Sequence, residues 1–317
     1  MKLKNLYIND NPLFLAPMAG VNCAAFRLLC KDFGADVVST PMINTNSFIG
    51  TKARMLKQLN FLKEEKPISA QVIGKENIPE TVNILNEYAD IIDLNLGCPE
   101  KEMLSQKVGG FYSKHPEQIP KILNQIISNT NKPVTVKIRC GWDEKSVNTL
   151  KTFKILKDFD ISAITLHPRT VKQGYSGAAD WSQIKLLKEN SDDIPIIGNG
   201  DIFKSGTGKV MLDQTKCDGL MVGRGSMGDP RLFSELKYLI THRKNLGNHS
   251  ENNRIIDFLK FSEYYSKFDK NRSFSEFRQQ ALWFTKRTTF VDTFKHKILR
   301  CQNFNEIIEI FERNKNN

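Results

Sequence analysis

Short apolar runs alternate with amphipathic stretches eight times between Leu13 and Gly223. The runs Leu13–Met18, Val37–Pro41, Ile68–Ile73, Ile91–Leu96, Val134–Arg139, Ala163–His167, Ile194–Ile197 and Leu220–Gly223 have the length and continuity of strands buried on both faces. Between them, helical periodicity covers Cys23–Phe33, Glu76–Tyr88, Glu117–Ser128, Ser146–Phe159, Trp181–Glu189 and Lys204–Leu212. A β-α unit repeated eight times over roughly 230 residues predicts an α/β protein with a (β/α)8 TIM barrel. A doubly wound sheet would carry a G-x-G-x-x-G turn after its first strand, whereas this turn reads Ala16-Pro17-Met18-Ala19-Gly20.

Strand signals cease near Arg231, and the remainder predicts a small all-helical domain with helices over Arg254–Phe268, Phe274–Phe290 and Asn303–Glu312. The division expected is 1–234 for the barrel and 235–317 for the helical domain. Aromatics are dense in the tail, and their i, i+3, i+4 spacing assigns most of them to the core of a bundle.

Charge changes this picture. The chain of 317 residues carries a net +11, and Glu235 to Asn317 hold sixteen Lys and Arg against ten Asp and Glu, a net of +6. More than half of the excess sits in the last quarter, which points to a polyanion met partly by the tail; a solvated basic surface is the plainer alternative. No apolar run approaches the ~18 residues a membrane span needs, and no export signal is visible. Six scattered cysteines without C-x-x-C pairs or His partners suggest neither a zinc site nor a disulfide framework. A reducing cytoplasm, no metal and a monomer are the expectations.

The strand ends carry polar clusters, and barrel enzymes keep their chemistry there. Cys98 follows Ile91–Leu96 on a turn made by Gly97 and Pro99, where it is either a small buried hydrophobe or a positioned thiol. Small residues around Pro17 allow close approach of a flat ligand, and the Gln71 amide can read a pyrimidine edge. Period-two alternation puts Lys137 and Arg139 on one face of the fifth strand. They are either rim salt bridges or, for Lys137, a counter-charge to a reduced flavin. Gly198-Asn199-Gly200-Asp201 and Gly223-Arg224-Gly225 close strands seven and eight, the loops where barrels commonly bind phosphate.

In order, Pro17-Met18-Ala19-Gly20, Asn95-Leu96-Gly97-Cys98-Pro99, Val136-Lys137-Ile138-Arg139, His167-Pro168-Arg169-Thr170, Asn199-Gly200-Asp201 and Gly223-Arg224 resemble the tRNA-dihydrouridine synthase family. The match spans nearly all of the barrel. Phe277-Arg278 and Trp283-Phe284-Thr285-Lys286 extend it loosely into the tail, with Arg287 where glycine is usual and Pro168 where many members have glycine. The resemblance implies an FMN-dependent oxidoreductase that reduces the C5–C6 bond of a uridine in tRNA, with NAD(P)H as reductant. It further implies that Pro17, Met18 and Ala19 back the flavin ring and that Gln71 and Lys137 bind its pyrimidine edge. His167 would sit beside flavin and substrate, and Asn199, Gly200, Asp201, Gly223 and Arg224 would hold the ribityl phosphate. Cys98 would be the catalytic acid and Asn95 would orient the uracil. Arg139, Arg169, Arg278, Lys286 and Arg287 complete the expected substrate contacts. A flavin barrel acting on a free pyrimidine, in the manner of dihydroorotate dehydrogenase, is the nearest rival, and a catalytically silent RNA-binding barrel is a second.

Overall fold

The computed structural model describes residues 1–191, 193–244, 246, 250–269, 273–286 and 288–315, so Arg287 lies outside the described residues. Eight parallel strands form the barrel: β1 Leu13–Leu15, β2 Val38–Ser39, β3 Ile68–Ile73, β4 Ile91–Asn95, β5 Val134–Arg139, β6 Ala163–His167, β7 Ile196–Asn199 and β8 Gly219–Val222. Each of β3 to β8 pairs with its neighbours in chain order, and β8 pairs with β1. A bridge from Phe14 to Val37 completes the ring, with Leu15 N–H donating to Val37 O at 2.9 Å. This is the (β/α)8 architecture that the strand rhythm predicts.

Alternation along each strand divides the side chains between two environments. Ile92, Leu94, Val136, Ile138, Ile164 and Leu166 point outward into the main core beneath the helices. The inward set begins apolar, with Phe14, Val37, Ile91, Ala163, Ile197 and Met221 packed together and plugged by Leu3 from the N-terminal hairpin. Further along the same strands the inward residues turn polar: Gln71, Asp93, Asn95, Thr135, Lys137, Arg139, His167 and Asn199. Register aligns Gln71 with Asp93, Asn95 with Lys137, and Arg139 with His167. The apolar end closes the barrel, and the polar end faces its C-terminal mouth.

Helices of eight or more residues cover the outside: α1 Ala24–Asp32, α2 Thr45–Leu59, α3 Ile78–Leu85, α4 Ile119–Ile127, α5 Thr149–Leu156, α6 Ser182–Glu189, α7 Ser205–Thr215 and α8 Leu232–His242. Helix α2 is absent from the sequence-based expectation. Thr45, Phe48 and Leu59 are its buried residues, and Met55 and Leu56 pack against the core from the same helix. Strand β7 begins two residues later than predicted because Pro195 has no N–H for the ladder, although its carbonyl accepts from Ile164. Helix α8 runs through the division expected after residue 234.

The tail contains α9 Glu251–Phe268, α10 Phe274–Thr285, α11 Val291–Arg300 and α12 Phe304–Glu312. The single helix predicted over Phe274–Phe290 stops at Thr285. Thr288 Oγ1 donates to Thr285 O at 2.6 Å and Thr289 N–H donates to Glu251, so the carbonyl and N–H that would pair in a continued helix are both engaged by side chains. Phe258, Phe261, Tyr265, Phe277 and Phe284 are fully buried, as their spacing predicts, and Phe311 joins them. The helices dock on the loops at the barrel mouth. Arg231 pairs with Asp257 through two bonds of 2.6 and 2.8 Å, and Gln280 donates to Val21 O at 2.8 Å. Gly228, at φ 66°, meets the Trp283 carbonyl so closely that a Cβ would lie 2.1 Å from its oxygen. The carboxylate of Asp269 accepts from the Ala24 and Ala25 N–H groups at 3.2 and 2.9 Å, capping α1 from the tail. Among the described residues no helix is long and apolar enough to cross a membrane.

Candidate active site

The polar end of the barrel opens into a cavity of about 340 Å³ lined by Pro17, Met18, Gln71, Asn95, Cys98 and Lys137, among others. A smaller cavity of about 90 Å³ continues from it over Asn199, Gly200, Asp201, Gly223 and Arg224. Pro17, Met18, Lys137, His167, Tyr175 and Arg224 line both.

Cys98 is held by a chain of hydrogen bonds that starts deep in the barrel. Asp93, buried at the centre of β4, accepts from Thr135 Oγ1 at 2.6 Å and from Gln71 Nε2 at 2.7 Å. Gln71 Oε1 accepts from Asn95 Nδ2 at 2.8 Å, and Asn95 Oδ1 accepts the N–H groups of Gly97 and Cys98 at 3.0 and 2.9 Å. Behind the loop, Gly110 N–H donates to Cys98 O at 2.9 Å, and a Cβ on Gly110 would lie 2.7 Å from that oxygen. Of the six cysteines, all free, Cys98 is the one that is not fully buried. Burial is the largest influence on its thiol and raises the pKa, so the sulfur stays protonated at neutral pH.

Opposite stands a group of cations. Lys137 Nζ donates to Asn199 Oδ1 at 3.0 Å, and no salt bridge reaches it among the described residues. Burial and then the Arg139 charge lower its pKa to about 8. His167 is pushed well below its ordinary pKa by burial and then by Lys137, Arg139, Arg169 and Arg224, which makes it neutral. Its Nε2 faces Arg169 Nη1 at 3.3 Å and accepts there, leaving the proton on Nδ1.

The two interior arginines mainly fasten loops. Arg139 lines the larger cavity, but its guanidinium donates to the carbonyls of Gly97, Thr170 and Gly174 at 2.9, 2.9 and 2.7 Å. Arg169 is buried and pairs with Asp201 at 2.8 Å. Asp201, at φ 58°, also accepts from Ala179 N–H at 2.8 Å and lies 3.6 Å from Arg224. It therefore orients cations at the small cavity. Gly200, at φ 111°, passes so near His167 that a Cβ would lie 3.1 Å from the imidazole ring. Pro17 and Met18 are half-buried and Ala19 is exposed at the rim.

The structure thus gathers Pro17, Met18, Ala19, Gln71, Asn95, Cys98, Lys137, Arg139, His167 and Arg224 around one cavity and Asn199, Gly200, Asp201 and Gly223 around its extension. Arg278 and Lys286 lie instead on α10 and its C-cap. Sequence reasoning misses Asp93 and Thr135, whose signal is their parity with Asn95 and Lys137. It also misses Tyr175, which has none: the loop after β6 brings this half-exposed ring to 4.5 Å from the Arg224 guanidinium.

A protonated thiol, a half-buried lysine and a glycine-lined extension converge at the C-terminal mouth of a parallel barrel, which marks the chain as a (β/α)8 barrel enzyme. The family is narrower still: a model described as Dihydrouridine synthase (Dus) matches residues 14–315, and the chain belongs to that family. It is 37% identical over 237 residues to tRNA-dihydrouridine synthase B of Pasteurella multocida (strain Pm70), covering 74% of this chain and 71% of that protein. It is 36% identical over 244 residues to a probable tRNA-dihydrouridine synthase of Rickettsia conorii, covering 76% and 73%. Among solved structures, histamine dehydrogenase from Rhizobium sp. 4-9 superposes with TM-score 0.53 at 13% identity over 83% of this chain and 50% of that one. A 2-naphthoyl-CoA reductase complex gives TM-score 0.55 at 11% identity over 76% and 51%. The chain spans about half the length of either structure, and these two likenesses concern the barrel fold alone.

Proposed function

We propose that this chain reduces the C5–C6 bond of a uridine in tRNA, using a bound FMN that NAD(P)H keeps reduced. Family membership and the curated relatives support the reaction. The observation that carries the site assignment is the placement on one cavity of a protonated Cys98 and a half-buried Lys137 that has no salt bridge among the described residues.

The residues present fit a flavin. Lys137 is a half-buried cation on the cavity wall, and the ring's pyrimidine edge would bring negative charge to it along with acceptors for Gln71. The smaller cavity offers Gly200 and Gly223 backbone and the Arg224 guanidinium to a phosphate. When bound there, a reduced flavin would supply the hydride for C6. Cys98 delivers the proton to C5 as general acid, and Asn95 holds its loop so that the thiol faces the cavity. Neutral His167 donates from Nδ1 without adding a further positive charge. A stacked uridine must be extruded to reach this depth, at a cost of a few kcal/mol. The basic helical tail, proposed here as the tRNA-binding part, offsets that cost through phosphate contacts at Arg278 and Lys286.

The test is incubation of purified protein with unmodified tRNA and NADPH. A flavin absorbance spectrum and dihydrouridine at one mapped position are expected. A flavin-bearing protein that reduces free pyrimidines and leaves tRNA unchanged would overturn the tRNA assignment.

A further inference from the structure

A second cleft of about 550 Å³ opens beside the catalytic cavity, between α2 on one side and α9 and α10 on the other. Val21 lines both. The floor of the second cleft is rich in acceptors. Asn22 is fully buried, and its Nδ2 donates to Ala16 O and Ser39 O, each at 2.8 Å. Those two carbonyls fix the amide orientation, because a flip would set oxygen against oxygen. Asn22 Oδ1 is left without a partner among the described residues. A buried acceptor in that state costs ~1–3 kcal/mol, and its closure from solvent leaves Glu276 as the accessible acceptor of the α10 wall.

Glu276 stands on the α10 wall. Its carboxylate accepts a long hydrogen bond, 3.3 Å, from the Tyr265 hydroxyl. Asp269, nearby, already engages both oxygens at the N-terminus of α1. The opposite rim has the other sign. Helix α2 contains Lys52, Arg54 and Lys57 and no acidic residue, and Lys57 is exposed at the cleft. A phosphate is repelled by the floor and attracted by the rim. A small cation suits the floor and is repelled by the rim. A nucleotide whose base presents N–H donors suits both.

Among the four bases, guanine alone places two adjacent donors, N1–H and N2–H, on its Watson–Crick edge, and these match the paired oxygens of a carboxylate. Unpaired bases splayed from an RNA loop are commonly read on that edge. We propose that this cleft is a guanine subsite, in which Glu276 accepts from the base and Lys57 meets its phosphate. The guanosine it takes lies unpaired near the uridine being reduced, so this inference rests on the proposed function.

The test titrates the full-length, flavin-loaded protein with 5′-GMP and with 5′-AMP, followed by ligand-observed NMR. The wild type should prefer GMP by about tenfold, the worth of one charge-assisted hydrogen bond, and Glu276→Gln should lose that preference. An intact flavin spectrum shows that the variant has folded. Lys57→Ala, on an exposed position, should weaken GMP several-fold and leave guanosine, which lacks the phosphate, unaffected. Equal binding of GMP and AMP, or undiminished GMP preference in Glu276→Gln, overturns the subsite. If tRNA is reduced by a protein with no GMP preference, the subsite falls and the reaction stands. A GMP preference in a protein that never reduces tRNA keeps the subsite and overturns the reaction.

Discussion

Asn95 Oδ1 accepts the backbone N–H of Cys98 at 2.9 Å, so the residue that ends β4 sets the direction of the thiol three residues later. Its Nδ2 is in turn anchored to Gln71 and through it to Asp93. The Cys98 loop is therefore positioned from inside the barrel. Asn95→Ala should lower kcat/KM for uridine reduction by about 10²-fold, the scale of a misplacement near 1 Å. Flavin content serves as the folding control, and a rate within about twofold of wild type would show that the loop holds itself.

Cys98→Ala should lower uridine reduction by roughly 10²–10⁴-fold, the worth of a positioned general acid. The effect should appear in single-turnover oxidation of the reduced enzyme by tRNA. Since burial raises the thiol pKa, the acid form persists through neutral pH. The pH–rate profile of that step should therefore be flat there and fall only above the ordinary thiol range. A fall centred below about pH 8 would assign the proton to another group.

Lys137 has a pKa lowered to about 8 by burial and then by Arg139. Its charge is present below that pH and absent above it. Flavin affinity of the cofactor-free protein should accordingly drop as pH rises through about 8, and Lys137→Met should remove that dependence. The same substitution should slow flavin reduction by NADPH by about 10²-fold, comparable to removal of one preorganised donor. A pH-independent affinity in the wild type would contradict the assignment of Lys137 to the anionic edge.

Arg27 and Glu65 form an ion pair with both side chains fully buried, and Arg27 also donates to the carbonyls of Asn22, Leu59 and Asn60. It ties the end of α2 to α1 and to the loop after β1. Arg27→Met leaves a buried carboxylate alone and should cost ~3–5 kcal/mol in chemical denaturation. Adding Glu65→Leu should recover part of that stability. A single variant as stable as wild type would show that water reaches Glu65.

Charge reversal at Arg278 or Lys286 should weaken tRNA binding and flatten its dependence on salt, by about one unit of log-log slope for each phosphate the variant no longer neutralises. Equal slopes in variant and wild type would move the phosphate contacts from α10 to the barrel rim.

The barrel is legible in the alternation of runs, because burial on both faces forces continuous apolar strands and a helix must follow each of them. Strands β3, β5 and β6 have the predicted bounds, and inward parity already places Lys137 with Arg139. The glycines after β7 and β8 are legible because a tight turn needs them locally. Asp93 as the anchor of Gln71, Arg169 as the partner of Asp201 and Tyr175 over Arg224 come from the folded barrel. Each depends on register between strands or on the path of a long loop, and neither is encoded in the spacing of one segment. The same holds for α2, which packs on α3 and whose end Arg27 ties to α1 through the Leu59 and Asn60 carbonyls. Local periodicity thus tells which strand ends carry polar groups. Closure of the ring settles which of those groups touch, and so which are free to meet a ligand.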